Sequence, residues 1–303
     1  MRFYGVNNSP IWRDKYNRLF PGEQTNGGAE YAKKIEKYYK PIFEEFYPDS
    51  ACVVAVTVEN PERVVQLPGV GKMFVFLHQE NYKTQKTLEF INEFTRVNKN
   101  VIFCCWLPAL VEYINNSGEA KRGGYKAIYI PMAVDAEEIL QYKDASIKPK
   151  DGVIWFGAIR KAKVSSWEFL AGVCEGMGLE FHTISNNHLD GGDRELSREE
   201  VMREIQKYKY GVGVGICAQE MATLGLKVIL YAYDFEARVA FDYEKAKHLV
   251  AENFCATNER GVPIEDALLN RKKIIQLAPR VFSETCEILR EELRKEANDG
   301  NNA

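Results

Sequence analysis

Short apolar, β-branched runs alternate with amphipathic runs along this chain, twice over, and that alternation constrains the fold more than any other feature. In the first half, "ACVVAVTV", "KMFVFLHQ", "NVIFCCW" and "KAIYIPM" read as strands. Between them, "TQKTLEFINEFTRVN" places Leu88, Ile91, Phe94 and Val97 at helical spacing, and "LPALVEYINNSG" reads as a short helix with Pro108 in its first turn and Gly118 beyond its end. The polar stretch "DASIKPKDG", Asp144 to Gly152, reads as a linker, and the rhythm then restarts. "GVIWFGA", "LEFHTIS", "YGVGVG" and "KVILYA" are strands. "KVSSWEFLAGVCEGMG", "SREEVMREIQKY" and "CAQEMATLG" are helices, the second capped by Ser197 with Glu200 three residues on. An amphipathic helix, "VFSETCEILREELRKEAN", ends the pattern. Strand–helix alternation of this kind predicts parallel sheets with helical crossovers.

The fold class expected is therefore α/β, as two Rossmann-like domains facing each other across a cleft. The first spans residues 1–148 and the second 149–280. Residues 281–303 form a terminal helix, packing back on the first domain, and a polar tail.

Composition removes several classes of function. A net charge of −3 gives no general attraction to polyanions. The seven cysteines are odd in number and contain no C-x-x-C pair, which argues against structural zinc or a redox dithiol and for reduced, buried thiols. No apolar run approaches a membrane span, and the start lacks the apolar core of a signal peptide. The expected location is the cytoplasm, with peripheral membrane docking left open.

In open parallel sheets, ligands bind beyond the carboxyl ends of strands, and four segments qualify. In "QTNGGAEYAKKI", Gly27 and Gly28 precede a helix, where bare backbone N–H groups suit an anion or a sugar oxygen; a plain turn is the alternative. His78 ends the run "MFVFLH" and can donate to a hydroxyl or phosphate, with His182 in a comparable position in "EFHTIS". "GAIRKAK" follows Gly157 with Arg160, Lys161 and Lys163, cations that suit a diphosphate and run against the preference of helix starts for acids. The carboxylate of Glu220, in "GICAQEMATLG", accepts hydrogen bonds only and suits the two hydroxyls of a ribose; a solvated helix glutamate is the alternative. Gly211, Gly213 and Gly215 just ahead of it are read as places where the backbone can approach a ligand.

In this order, the four segments resemble the GT-B glycosyltransferases, in particular the large retaining family that uses nucleotide-sugar donors. The family's "GG-x-E" loop is similar to Gly27–Glu30, and its "IP-x-x-VD" segment to Ile130–Asp135. A glycine followed by Arg and Lys is similar to Gly157, Arg160 and Lys163, and the family's "EAMA-x-G-x-PV" to Gln219–Ile229. The chain departs from that pattern in three places. Ala158 and Ile159 separate the glycine from the arginine, Lys227 replaces the proline, and the family's second glutamate falls at Gly213.

The resemblance implies sugar transfer from a UDP- or GDP-sugar, with retention and without a metal or other cofactor. Arg160 and Lys163 would stabilise the leaving diphosphate, His78 would orient a donor hydroxyl or phosphate, and Glu220 would hold the ribose. Inversion would instead require a base, with Glu30 or Glu80 as candidates. The acceptor is open among a saccharide, a small molecule, a lipid and DNA. Two other readings stay beside this one, a sugar-nucleotide epimerase of the same fold and a non-catalytic sugar- or nucleotide-binding protein.

Overall fold

The computed structural model describes residues 2–6, 27–48, 51–57, 71–78, 85–159, 163–185, 196–231, 235–252, 254 and 260–301. Two compact units emerge, one of Met1–Pro131 with Ser283–Ala303, the other Met132–Phe282. Each contains a parallel sheet flanked by helices.

The first unit runs β1 (Arg2–Val6), α1 (Gly27–Phe46), β2 (Ala51–Thr57), β3 (Lys72–His78), α2 (Gln85–Val97), β4 (Val101–Cys105), α3 (Pro108–Asn116), α4 (Gly118–Gly123) and β5 (Lys126–Tyr129). The strands lie in the order β1-β2-β3-β4-β5, parallel at every pairing. Gly118, expected beyond a helix end, instead opens α4, because the Ser117 side chain accepts the Ala120 N–H and caps a new turn. Period-2 alternation assigns the sheet faces. Phe43 and Tyr39 of α1 meet Phe74 and Phe76 at ring distances of 4.7 and 5.7 Å. Phe94 of α2 meets Phe103, the register partner of Val75, so α2 covers the opposite face.

The second unit runs α5 (Ala136–Leu140), β6 (Lys150–Phe156), α6 (Val164–Gly176), β7 (Phe181–Ile184), α7 (Arg198–Ile205), β8 (Tyr208–Gly213), α8 (Gly215–Leu224) and β9 (Lys227–Leu230). A small antiparallel pair, β10 (Glu236–Ala237) with β11 (Val262–Pro263), and the helices α9 (Tyr243–Ala251) and α10 (Ile264–Leu269) complete it. The parallel sheet has the order β7-β6-β8-β9. Residues 144–152, read above as linker, lie inside this unit. The Asp144 N–H donates to Gln206, and Lys150 already pairs with Tyr208. β6 has a neighbour on each side, so the backbone groups at its amino end are drawn into the ladder rather than left to water.

The capping box expected at Ser197 and Glu200 forms in full. Two cores sandwich the sheet. Trp155, Leu170, Tyr210, Val212, Ile229 and Ile264 belong to one, and Ile154, Met202, Ile205, Met221, Val228 and Leu249 to the other. Alternate residues of β6, Trp155 and Ile154, thus enter opposite layers.

The last helix, α11 (Phe282–Asn301), packs on the first unit. Leu289 and Leu293 are fully buried, Tyr39 donates to Thr285 across 2.7 Å, and Glu296 takes Lys72 at 2.8 Å and also pairs with Lys126. Burial pushes the Glu296 pKa up, but hydrogen bonds from Lys126 and Lys72 outweigh burial and hold it below the usual carboxylate value. Such a depressed carboxylate contributes stability that is complete above its unfolded pKa of roughly 4.3 and is lost as pH falls through the lower folded value. Both lysines are partly exposed, so Glu296→Gln is expected to cost only about 1–2 kcal/mol at neutral pH. Its gap in thermal stability from the parent should narrow on acidification below about pH 4. A gap that widens there contradicts the assignment.

Candidate functional site

The order β7-β6-β8-β9 makes the chain leave β6 in one direction and return on its other side. The crevice outside the carboxyl ends of β6 and β8 is therefore the topological switch point, where open α/β sheets bind ligands.

Gly157 follows β6 directly at φ +138°, a conformation that L side chains rarely adopt. Its N–H donates to Ile184 O at 3.1 Å, and its carbonyl accepts the indole N–H of Trp155 at 3.0 Å. Two residues on, the Ile159 N–H donates to the Ser185 hydroxyl at 3.1 Å, which ties the turn to the end of β7. A Cβ built on Gly157 would stand 3.6 Å from the thiol of Cys217, in the first turn of α8. The turn after β6 and the start of the helix after β8 thus lie side by side, with room for little more than a methyl group between Gly157 and Cys217.

Glu220 lies one helical turn beyond Cys217 on α8 and is only 7% exposed. It is not the solvated helix glutamate considered above. Arg198, the first residue of α7, grips it with both terminal nitrogens, Nη2 to Oε1 at 2.5 Å and Nη1 to Oε2 at 3.2 Å. Burial pulls the Arg198 pKa down, but the hydrogen bond and charge of Glu220, helped by Glu138, more than reverse this. The guanidinium stays charged in any case. Arg198 was not singled out in the sequence. The available signal was its position between Ser197 and Glu200, where a cation at a helix start opposes the dipole and needs a distant partner.

Packing requires glycine at two of the positions before Glu220. A Cβ on Gly211 would strike Met221 Sδ, and one on Gly213 would lie 2.8 Å from the carbonyl oxygen of Phe156 and 3.0 Å from Met221 Cε. They let α8 settle onto β8 and β8 onto β6. Gly215, at φ +61°, donates its N–H to Phe254 O at 2.9 Å.

The other selected residues distribute as follows. Lys163 is buried at the N-cap of α6. Arg160 and Lys161 lie outside the described residues. His182 is not at the carboxyl edge. It leans toward the amino end of the sheet, stacking on Tyr208 at 5.8 Å and 7°, with Nε2 3.9 Å from Glu204. The reason is register, since His182 pairs with Ile154, two residues short of the end of β6. In the first unit, Gly27 and Gly28 form the start of α1, and His78 is the last residue of β3, beside Thr57.

A cavity of about 540 Å³ occupies the opposite, amino edge of the first sheet, with Lys72, Lys126 and Glu296 in its wall, and coincides with none of the selected residues. Among the described residues, no group of three or more His, Cys, Asp or Glu side chains is placed to hold a metal ion, and no helix is long and apolar enough to cross a membrane. No protein-family model matches the chain, and no curated protein matches it.

Proposed function

We propose that the chain is a glycosyltransferase of the GT-B type, in which the second unit binds a nucleoside-diphosphate sugar, a UDP- or GDP-sugar, and transfers the sugar to an acceptor with retention. The observation that supports this reading is that the Gly157 turn lies beside the first turn of α8, with the Glu220 carboxylate one turn further on. Diphosphate and ribose are joined through a single methylene, so their ligands must lie on adjoining elements. The glycine turn and α8 are such elements.

On this reading, the bare backbone of Gly157 admits the diphosphate, and the cations that follow it act on that group. Arg160 offers a planar fork for two oxygens and Lys163 a point charge at the start of α6. As the sugar–phosphate bond breaks, negative charge grows on the leaving nucleoside diphosphate, and fixed positive charge stabilises it more than it stabilises the bound donor. Glu220 accepts from the ribose. If His78 orients a hydroxyl of the donor sugar, as the resemblance implies, His78→Ala is expected to slow transfer while leaving calorimetric affinity for nucleoside diphosphate within about threefold of the parent, or about 0.7 kcal/mol; a loss of diphosphate affinity would instead assign it to the phosphate.

Calorimetry with uridine, guanosine, UDP and GDP tests the donor site. Glu220→Gln is expected to weaken nucleoside and diphosphate alike by about ten- to a hundredfold, the worth of a charge-assisted hydrogen bond. Arg160→Ala should weaken the diphosphates and leave the nucleosides unchanged. Absence of binding by the unmodified chain, in heat or in thermal shift, overturns the reading. Anomeric analysis of the product by NMR decides retention.

A further inference from the structure

Three strands of the first sheet begin at the cavity on its amino edge, β3 with Lys72, β4 with Val101 and β5 with Lys126. Tyr47, just after α1, and Glu296 of α11 complete the polar wall. All of these residues belong to the first unit. The wall carries two ammonium groups against one carboxylate, and that carboxylate is engaged. Lys72 donates to it at 2.8 Å, and Lys126 also pairs with it. An ammonium has three N–H donors, and Glu296 takes one from each lysine. The Tyr47 hydroxyl is the group this arrangement leaves unexplained. It is shielded from solvent, yet no atom of the described residues meets it in normal hydrogen-bond geometry. A hydroxyl buried in that way costs free energy. The Lys72 ammonium lies over the same ring, 5.4 Å from its centre. Burial raises the Tyr47 pKa, so the phenol keeps its proton and donates, and the charges acting on it are those of Lys72, Glu296 and Lys126.

We propose that the cavity walled by Tyr47, Lys72 and Lys126 binds the phosphate group of a small molecule, at a site separate from the donor site of the second unit. The wall offers three donor groups, from the end of α1, from β3 and from β5, while its acceptor is already taken. A ligand that only accepts and is negative fits this set. Phosphate presents three terminal oxygens to the three donors, whereas a carboxylate has only two, and lysine serves phosphate as a point charge. The surplus positive charge of a walled cavity draws anions into it. Glu296 orders both lysine side chains in advance, which lowers the cost of binding. A volume of about 540 Å³ also leaves space for a body attached to the phosphate.

Titration calorimetry of the full chain at constant ionic strength tests this with inorganic phosphate and glucose 6-phosphate, each with and without saturating UDP. Inorganic phosphate is expected to bind whether or not UDP is present. Tighter binding of glucose 6-phosphate supports an ester as the ligand, and binding no tighter supports the free anion. Lys126→Gln should weaken phosphate by at least about tenfold, the loss of a charge-assisted hydrogen bond. Tyr47→Phe should weaken it by about three- to tenfold, yet the unliganded variant should melt no lower than the parent, because the hydroxyl it loses has no partner. Unchanged phosphate affinity in Tyr47→Phe overturns the proposal, and this variant decides alone should Lys126→Gln not fold. Absence of binding at roughly 10 mM phosphate overturns it as well. Displacement of phosphate by UDP places the anion in the donor site and rejects this one. Acetate bound as tightly as phosphate rejects the three-oxygen match. A chain that binds phosphate but no UDP loses the donor-site reading and keeps this site.

Discussion

Trp155→Ala is expected to lower the stability of the second unit by about 3–5 kcal/mol, the cost of deleting a large aromatic from a close-packed interior. The indole is 1% exposed, sits edge-on to Tyr231 at 6.4 Å, and shares its layer with Leu170, Val212 and Ile229. At roughly 2–4 °C per kcal/mol for a unit of this size, the melting temperature should fall by about 6–20 °C. A second effect separates this residue from its core neighbours. Its N–H holds the carbonyl of Gly157, whose φ of +138° depends on the surrounding structure. Trp155→Phe keeps most of the apolar volume and removes that hydrogen bond. It should therefore cost only about 1–2 kcal/mol while weakening nucleoside diphosphate binding through a loosened turn. Thermal unfolding followed by circular dichroism checks the first claim, and calorimetry on Trp155→Phe the second. A melting temperature for Trp155→Ala within a degree or two of the parent contradicts the packing described.

Gly213→Ala should also be destabilising, by about 1–3 kcal/mol, because the new methyl meets a backbone atom. Its Cβ would lie 2.8 Å from Phe156 O, in the neighbouring strand, and neither strand can move without disturbing the ladder. Gly211→Ala is the instructive partner. There the obstacle is the flexible end of Met221, with Leu226 Cδ2 at 3.3 Å. Adding Met221→Ala should therefore recover part of the cost of Gly211→Ala, a favourable coupling in a double-mutant cycle, and recover little for Gly213→Ala. Equal coupling at both positions would show that β8 and β6 shift freely, against the arrangement described.

Strands and helices were legible wherever burial repeats locally. Ile91 and Phe94 recur on the buried face of α2, Trp155 and Ile154 alternate on β6, and the Ser197–Glu200 box closes within a single turn. The candidate site was legible only in part. Glu220 and Gly157 were identified from their neighbours in sequence, and the helix that carries Glu220 begins beside the Gly157 turn. The purpose of Gly211 and Gly213 was not legible, since a glycine that admits a ligand and one that admits Met221 read alike. His182 looked terminal on its strand until register with Ile154 set it short of the edge.

What the sequence alone determined was the repertoire of elements and their order, because the hydrophobic period and the capping bonds act over a few residues. What only the tertiary structure decided were the pairings across long stretches of chain: Arg198 with Glu220, 22 residues away, and Tyr39 with Thr285, 246 away. A charged or hydroxyl side chain carries no mark of its partner. That choice is made when strand order and helix placement bring two distant elements together, and burial there leaves an unpaired polar group too costly to keep.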